Sequence, residues 1–246
     1  MVELAQAVRA AEVQIVPHCP VSAMRREGAT TMLQTPQGTV TAKEVVVATN
    51  AYSDGRTPAL HRRIVSIRTA AVASEELSPQ LMENLTPQKR MFGESGRVFM
   101  WFRPTPDGRR FIFGGRIGNP GGALEAQRKA FTKSITRVFP QLSDVRLSHV
   151  WSGNVAYTPD HSPHLGFVDG VWLAGGYCGS GVTRSVYFGM KLARKILKER
   201  DSDTAFDDLP FQRVPFKPFS DRAANVMTKW YAHLDARDLR RNRNTD

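Results

Sequence analysis

Val171-Trp172-Leu173-Ala174-Gly175-Gly176-Tyr177-Cys178-Gly179-Ser180-Gly181-Val182-Thr183 is the stretch from which the fold can be read. A short apolar run ends in small residues. Beyond it Val182, Val186, Met190, Ala193 and Leu197 recur every three or four positions, with Lys191, Arg194, Lys195 and Lys198 on the other faces. The pattern predicts a buried strand, a glycine turn and a helix with one apolar face. Glycines let backbone approach a ligand closely, and the free N–H groups of a helix start attract negative charge, so an anion or oxyanion is expected at the turn. Tight packing of strand on helix is the other use such glycines have. A dinucleotide fingerprint does not fit, because Arg184 stands where a third glycine belongs and no later parallel strand ends in an acidic residue.

Upstream, Ala42-Lys43-Glu44-Val45-Val46-Val47-Ala48-Thr49-Asn50 reads as a second buried strand of a parallel sheet, ending in small and polar residues where ligands sit in open α/β sheets. Before it come a helix (Leu4, Ala7, Val8, Ala11), a β-branched run at Val13–Val16, and short alternating segments at 21–24, 31–34 and 39–41 that suggest an antiparallel meander. From about residue 56 the texture is α+β, with strands expected at 64–72, 98–102 and 111–115. A helix is expected near 124–139, with Leu124, Gln127/Arg128 and Phe131 on one side. After Arg200 an Asp-rich and then Pro-rich stretch predicts a surface wrap, followed by a polar C-terminal helix and the basic run Arg237–Arg243, read as a solvated tail.

Composition narrows the function classes. With 246 residues and 41% hydrophobic side chains the chain can bury ordinary cores. The two cysteines, Cys19 and Cys178, argue for a reducing compartment, and residues 1–12 lack the apolar core of a signal peptide, so a cytoplasmic location is expected. No run approaches the ~20 apolar residues of a membrane helix, and no membrane partner is expected. Lys and Arg exceed Asp and Glu by 34 to 23, a formal charge of +11, which keeps open a basic binding module for an anionic partner such as nucleic acid. No RNP-type aromatics or reading helix favour nucleic acid. The six histidines include only one close pair, His161 and His164, in a loop with Asp160, and no metal is expected. A GxSxG nucleophile elbow is absent.

Several landmarks together resemble a known family: the strand end Val45–Tyr52 (VVVATNAY), Phe113-Gly114-Gly115-Arg116, Trp151-Ser152-Gly153, the stretch Tyr157–Gly166 (YTPDHSPHLG), and GGYCGSGVT at 175–183. Over residues 1–200 the chain looks like the D-amino-acid oxidase superfamily of FAD-dependent oxidoreductases, in the branch of gamma-glutamylputrescine oxidoreductase and sarcosine- or glycine-oxidase-like enzymes. The resemblance implies that Val21 lies beside the adenine and that Ala48, Thr49 and Asn50 line the dinucleotide, with Asn50 in place of a family glycine. It implies that Gly179, Ser180, Gly181, Val182 and Thr183 cup the pyrimidine edge of the isoalloxazine. Reduced flavin carries negative charge at that edge, so a prearranged helix N-terminus there would favour hydride transfer.

The implied reaction is oxidation of a C–N bond, with hydride passing from a small amine or amino acid to FAD. Relatives that attach flavin covalently use a cysteine where this chain has Val155, so non-covalent FAD is expected. Thr183 replaces a lysine linked to oxygen activation, which leaves the electron acceptor open. Trp101, Arg103, Arg116, Tyr157 and Tyr177 are the substrate-binding candidates: aromatics could flank an amine, and an arginine could pair with a carboxylate. Family members begin with a strand, a GxGxxG turn and a helix, for which this sequence has no counterpart. An N-terminal part is therefore expected to be missing, or to be supplied by a second chain. The predicted architecture is α/β plus α+β. Residues 1–55 and 150–200 would form an incomplete FAD/NAD(P)-binding-type domain, interleaved with an antiparallel-sheet substrate domain at 56–149. A C-terminal wrap and basic tail would occupy 201–246.

Overall fold

The computed structural model describes residues 2–116 and 123–243. The chain opens with an exposed helix, α1 (Val2–Ala10). The β-branched run that follows forms no strand; Val13, Ile15 and Val16 stay exposed because no neighbouring strand pairs with them. The expected meander is present as β1 (Ala23–Glu27), β2 (Thr30–Thr35) and β3 (Gly38–Ala42), antiparallel in sequence order.

The predicted strand at 42–50 shrinks to β4 (Val46–Val47), which leads through a 3-10 turn (Asn50–Tyr52) to the short helix α2 (Pro58–His61). Next come β5 (Val65–Ser74), α3 (Pro79–Leu85), β6 (Phe92–Gly93), β7 (Met100–Pro104) and β8 (Phe111–Gly115). The helix α4 (Leu124–Val138) precedes β9 (Leu147–Tyr157), β10 (His164–Val168) and β11 (Val171–Gly175). Two long helices close the chain, α5 (Gly181–Leu197) and α6 (Lys217–Arg243).

Two further sheets carry the architecture. Strands β6-β7-β8-β5-β9 form an antiparallel sheet, whereas β10-β11-β4 form a small mixed sheet in which β11 runs parallel to β4. The back face of the five-stranded sheet buries Val72, Met100, Phe102, Phe111 and Phe113 against Phe131 and Ile135 of α4. Edge-on rings knit this core, with the Phe102 and Phe139 centroids 4.8 Å apart and those of Phe111 and Phe113 5.1 Å apart. In α4 the buried residues are Gln127, Phe131 and Ile135, while Leu124 faces out. A domain boundary at 149/150 would cut β9 in two. Its whole length pairs with β5, from Leu147 opposite Ser74 to Tyr157 opposite Val65, so residues 150–157 belong to the antiparallel sheet.

In α5 the apolar face read from sequence turns outward: Val182 is 79% exposed and Leu197 66%, with Val186 and Met190 also open. The face that packs on β10 and β11 instead carries Phe188, Leu192 and Ile196, four residues apart, against Leu165, Trp172, Ala174 and Tyr177. Lys191 is buried because its ammonium bonds the backbone carbonyl and carboxylate of Asp201, at 2.7 and 3.0 Å. The wrap after Arg200 is pinned where Phe211 stacks on His164 (4.1 Å between centroids) and its carbonyl accepts from Arg63. The basic run 237–243 is the last part of α6 rather than a tail. Residues 244–246 lie outside the described residues.

Candidate active site

Alternation along the strands builds the cavity side of the five-stranded sheet. On β9, Trp151, Gly153, Val155 and Tyr157 share one face; on β5 their partners are Ala71, Thr69, Ile67 and Val65. Trp101 and Arg103 of β7 fall on the same side. Over this face lies a cavity of about 770 Å³ whose wall continues onto Cys178, Gly179, Ser180 and Val182 at the start of α5. The glycine turn and the sheet face therefore meet in one chamber. Glycine has a packing reason where Trp101 lies flat on β8: a Cβ at Gly114 would sit 2.1 Å from the indole Cζ2.

Three arginines, Arg97, Arg103 and Arg116, line the chamber, and no carboxylate or imidazole lines it among the described residues. They are not equivalent. Arg97 is held by Asp235 and Asp238 of α6, at 2.8 and 2.9 Å. Arg103 donates from Nε to the Pro104 carbonyl. The Arg116 guanidinium lies 4.4 Å from the centre of the Tyr157 ring and makes no ion pair among the described residues. A cation resting on an aromatic face is held in place yet keeps its donors for an incoming carboxylate.

At the turn, Gly176 and Gly179 have φ values of +74° and +101°, and Cys178 is also left-handed at +51°. Ser180 is the residue before the helix, but its hydroxyl donates to the Tyr177 carbonyl (2.7 Å) and caps no helical N–H group. The amides of the first turn of α5 are therefore left without a side-chain acceptor, with the helix dipole behind them. The Cys178 thiol donates to the Gly176 carbonyl at 3.2 Å.

Asn50 joins the two strand ends. Its φ of +46° is left-handed, a conformation Asn tolerates better than most residues, and its side-chain oxygen accepts the Gly176 N–H at 3.0 Å. This explains how asparagine stands where a glycine was expected. Ala48 and Thr49 are exposed beside it, with the Thr49 and Ser53 hydroxyls 2.6 Å apart. Val21 lies just before β1, half-buried and outside the cavity wall.

Of the sequence candidates, Trp101, Arg103, Arg116, Tyr157, Gly179, Ser180 and Val182 come together around the chamber. Gly181 and Thr183 continue the same helical turn. Tyr177 does not join them, which corrects its reading as a substrate residue. Its ring packs under α5 against Phe188 (5.6 Å), only 8% of the residue is exposed, and burial pushes the hydroxyl up to about 12. Sequence reasoning missed Arg97, Phe99, Trp151 and Cys178 in the wall. A period-two reading of 151–157 would have found Trp151; Arg97 and Phe99 gave no signal, since a hairpin brings them in.

A five-stranded antiparallel sheet thus faces a chamber that ends on a glycine turn and helix start, beside a parallel strand pair. The chain belongs to the DAO family of FAD dependent oxidoreductases, whose model matches residues 1–195. Among curated relatives, gamma-glutamylputrescine oxidoreductase of Escherichia coli (strain K12) is 30% identical over 186 residues, covering 75% of this chain and 43% of that protein. A probable oxidoreductase, OrdL, of Haemophilus influenzae is 26% identical over 229 residues, covering 91% of this chain and 52% of its own. The chain thus spans about half the length of the curated relatives it matches. Glycine oxidase from Geobacillus kaustophilus shares the fold, with a TM-score of 0.66 at 21% identity over 87% of this chain and 56% of that one. So does L-proline dehydrogenase from P. horikoshii, with a TM-score of 0.64 at 21% identity over 83% and 56%.

Proposed function

We propose that this chain supplies the substrate chamber and the flavin-ring seat of an enzyme that oxidises the C–N bond of a small amine or amino acid, with FAD held non-covalently. The observation that carries the reading is the single chamber whose wall runs from Arg116 on Tyr157 to the uncapped amides at the start of α5. The residues fit the group: the glycine turn lets backbone come close to a ring, and the amide cluster suits an edge that becomes negative. Held there by Gly179, Ser180, Gly181 and the first amides of α5, FAD would supply the two-electron acceptor for oxidation of the C–N bond, and the imine left on the substrate side would be hydrolysed by water to carbonyl and amine.

The chain's own residues do the rest. Arg116 would fix a substrate carboxylate, and Trp101, Trp151 and Tyr157 would keep water from the reacting carbon. Helical amides already in place stabilise developing negative charge without reorganising. Since the described wall offers no carboxylate or imidazole, the amine would arrive unprotonated, having lost its proton to solvent. The Cys178 thiol is tied to backbone and is not assigned a covalent link. Two free cysteines are in keeping with a cytoplasmic setting.

A second polypeptide segment is part of this reading. Among the described residues the outer edge of β4 is unpaired, and Val46 on β4 and the stripe of Val182, Val186 and Met190 on α5 are exposed. Strands of parallel sheets are normally covered on both faces, so a strand with its helix would complete this layer.

The test is a visible spectrum of the purified chain after incubation with FAD and desalting, alone and co-expressed with the N-terminal half of an E. coli-type relative. A yellow complex is expected, bleached anaerobically by carboxylate-bearing amines and releasing all its flavin on acid precipitation. Arg116→Leu should raise the half-saturating amine concentration about tenfold or more. A colourless protein under both conditions, or bleaching indifferent to Arg116, overturns the reading.

A further inference from the structure

The helix α6 lies beyond the residues matched by the family model, and its carboxylates lie apart from its exposed apolar side chains. It contains three carboxylates, and all three bond groups of the body, with the Asp221 and Asp238 side chains still 46% and 42% exposed. Asp221 accepts the Ser66 N–H at 3.1 Å, Asp235 accepts the Val98 N–H at 2.9 Å, and Asp235 and Asp238 share Arg97. Among the described side chains the outward face is mainly apolar and cationic, with His233 also exposed. Phe219, Val226 and Trp230 stand 63%, 68% and 56% exposed, at the spacing of one helical stripe, with Met227 beside them. Along its flank run the exposed cations Arg222, Lys229 and Arg240.

We propose that this outer face of α6 is a monotopic docking surface for a bilayer leaflet bearing anionic phospholipid headgroups. An aromatic and aliphatic stripe enters the boundary between headgroups and acyl chains, while the flanking cations meet the phosphates. The body already holds the helix by its acidic side, so docking requires no refolding. Charge argues against the competing occupants. In a twofold pair of α6 helices the cationic flanks would oppose one another, the three carboxylates being already bonded to the body. A nucleic acid would satisfy the cations but leave the stripe of Phe219, Val226 and Trp230 facing phosphate and water. No described helix is long and apolar enough to cross a membrane, and surface binding needs none. The expectation of no membrane partner rested on spanning segments alone.

The experiment uses the full chain with vesicles of phosphatidylcholine, with and without phosphatidylglycerol, and reads co-sedimentation and tryptophan quenching by brominated acyl chains. Binding to the phosphatidylglycerol vesicles is expected, weakened by salt and reduced about tenfold or more by V226E/W230E. The control Val186→Glu on α5 should bind as the parent does. The altered positions are exposed, and circular dichroism with a melting curve checks that each variant is folded. Failure to bind these vesicles, or equal binding by V226E/W230E, overturns the proposal. So does a dimer that V226E/W230E dissolves, which assigns the face to a second copy. Salt-sensitive duplex DNA binding without vesicle binding also overturns it, assigning the cations to nucleic acid.

Discussion

Asn50 performs two tasks that no other residue type combines as well: it accepts a left-handed backbone and bonds the buried Gly176 N–H. Asn50→Ala would lose both, placing a Cβ where it is disfavoured and leaving the amide unpaired, at a cost of about 2–4 kcal/mol. Asn50→Gly keeps the conformational freedom and loses only the acceptor, costing about 1–2 kcal/mol. Urea unfolding should therefore rank Ala below Gly below the parent, and the Gly176 amide should exchange faster in both variants. An order with Gly least stable would show that the side-chain bond contributes little. A second residue-scale expectation concerns pH. With no carboxylate or imidazole in the described chamber wall, kcat/KM should rise with pH until the amine's own pKa is passed. A break near neutrality that stays fixed across amines of different basicity would mean a protein base has been overlooked.

At the scale of elements, α5 separates periodicity from burial. Phe188 is fully enclosed by Tyr177 and Phe206, so Phe188→Ala should cost about 3–5 kcal/mol. Val186, two positions away, is open, and Val186→Glu should change the stability of this chain by no more than about 0.5 kcal/mol. Equal losses at the two positions would contradict the orientation of the helix. The hold of α6 is electrostatic at its C-terminal half. Burial works to raise the Asp235 carboxyl, but the Val98 N–H and the Arg97 guanidinium outweigh it and keep it below the ordinary carboxylate range. A depressed carboxyl stabilises the fold above its unfolded pKa, near 3.8, and loses that contribution as pH falls through the lower folded value. Hydrogen exchange at the end of α6 should thus be steady from neutral pH to about 4 and, corrected for intrinsic rate, accelerate below it. Asp235→Asn should show the fast behaviour at neutral pH.

For the whole molecule, the five-stranded sheet is finished on its back face, whereas among the described residues the small sheet ends on an unpaired β4 edge. If a further segment completes that layer, the amides of Val46 and Ala48, which point away from β11, exchange quickly in this chain alone and become protected in the completed protein. Protection that is already full in the isolated chain would remove the need for a partner. The positive charge is likewise distributed unevenly. The carboxylates of α6 are used internally, so its outer surface concentrates part of the +11.

The strand, glycine turn and helix at 171–197, the meander and the antiparallel middle sheet were legible because each depends on local pattern: β-branched runs, turn formers and helical spacing. Asn50 was legible as a departure, though not as a clamp. Which side of an element would be buried was not legible where several faces carry apolar residues. In α5 the five-residue stripe and the Phe188–Leu192–Ile196 stripe are both plausible inner faces, and only the positions of β10, β11 and the wrap selected the second. Tyr177 and Tyr157 looked alike as aromatics near a turn, yet one is core and the other lines the chamber, because side-chain direction depends on how two sheets meet. By itself the sequence determined most of the elements and the family. Tertiary structure decided burial, the joining of β9 to the sheet and the meeting of Arg116 with the helix start. Burial and convergence are properties of packing between segments distant in sequence, which no local spacing records.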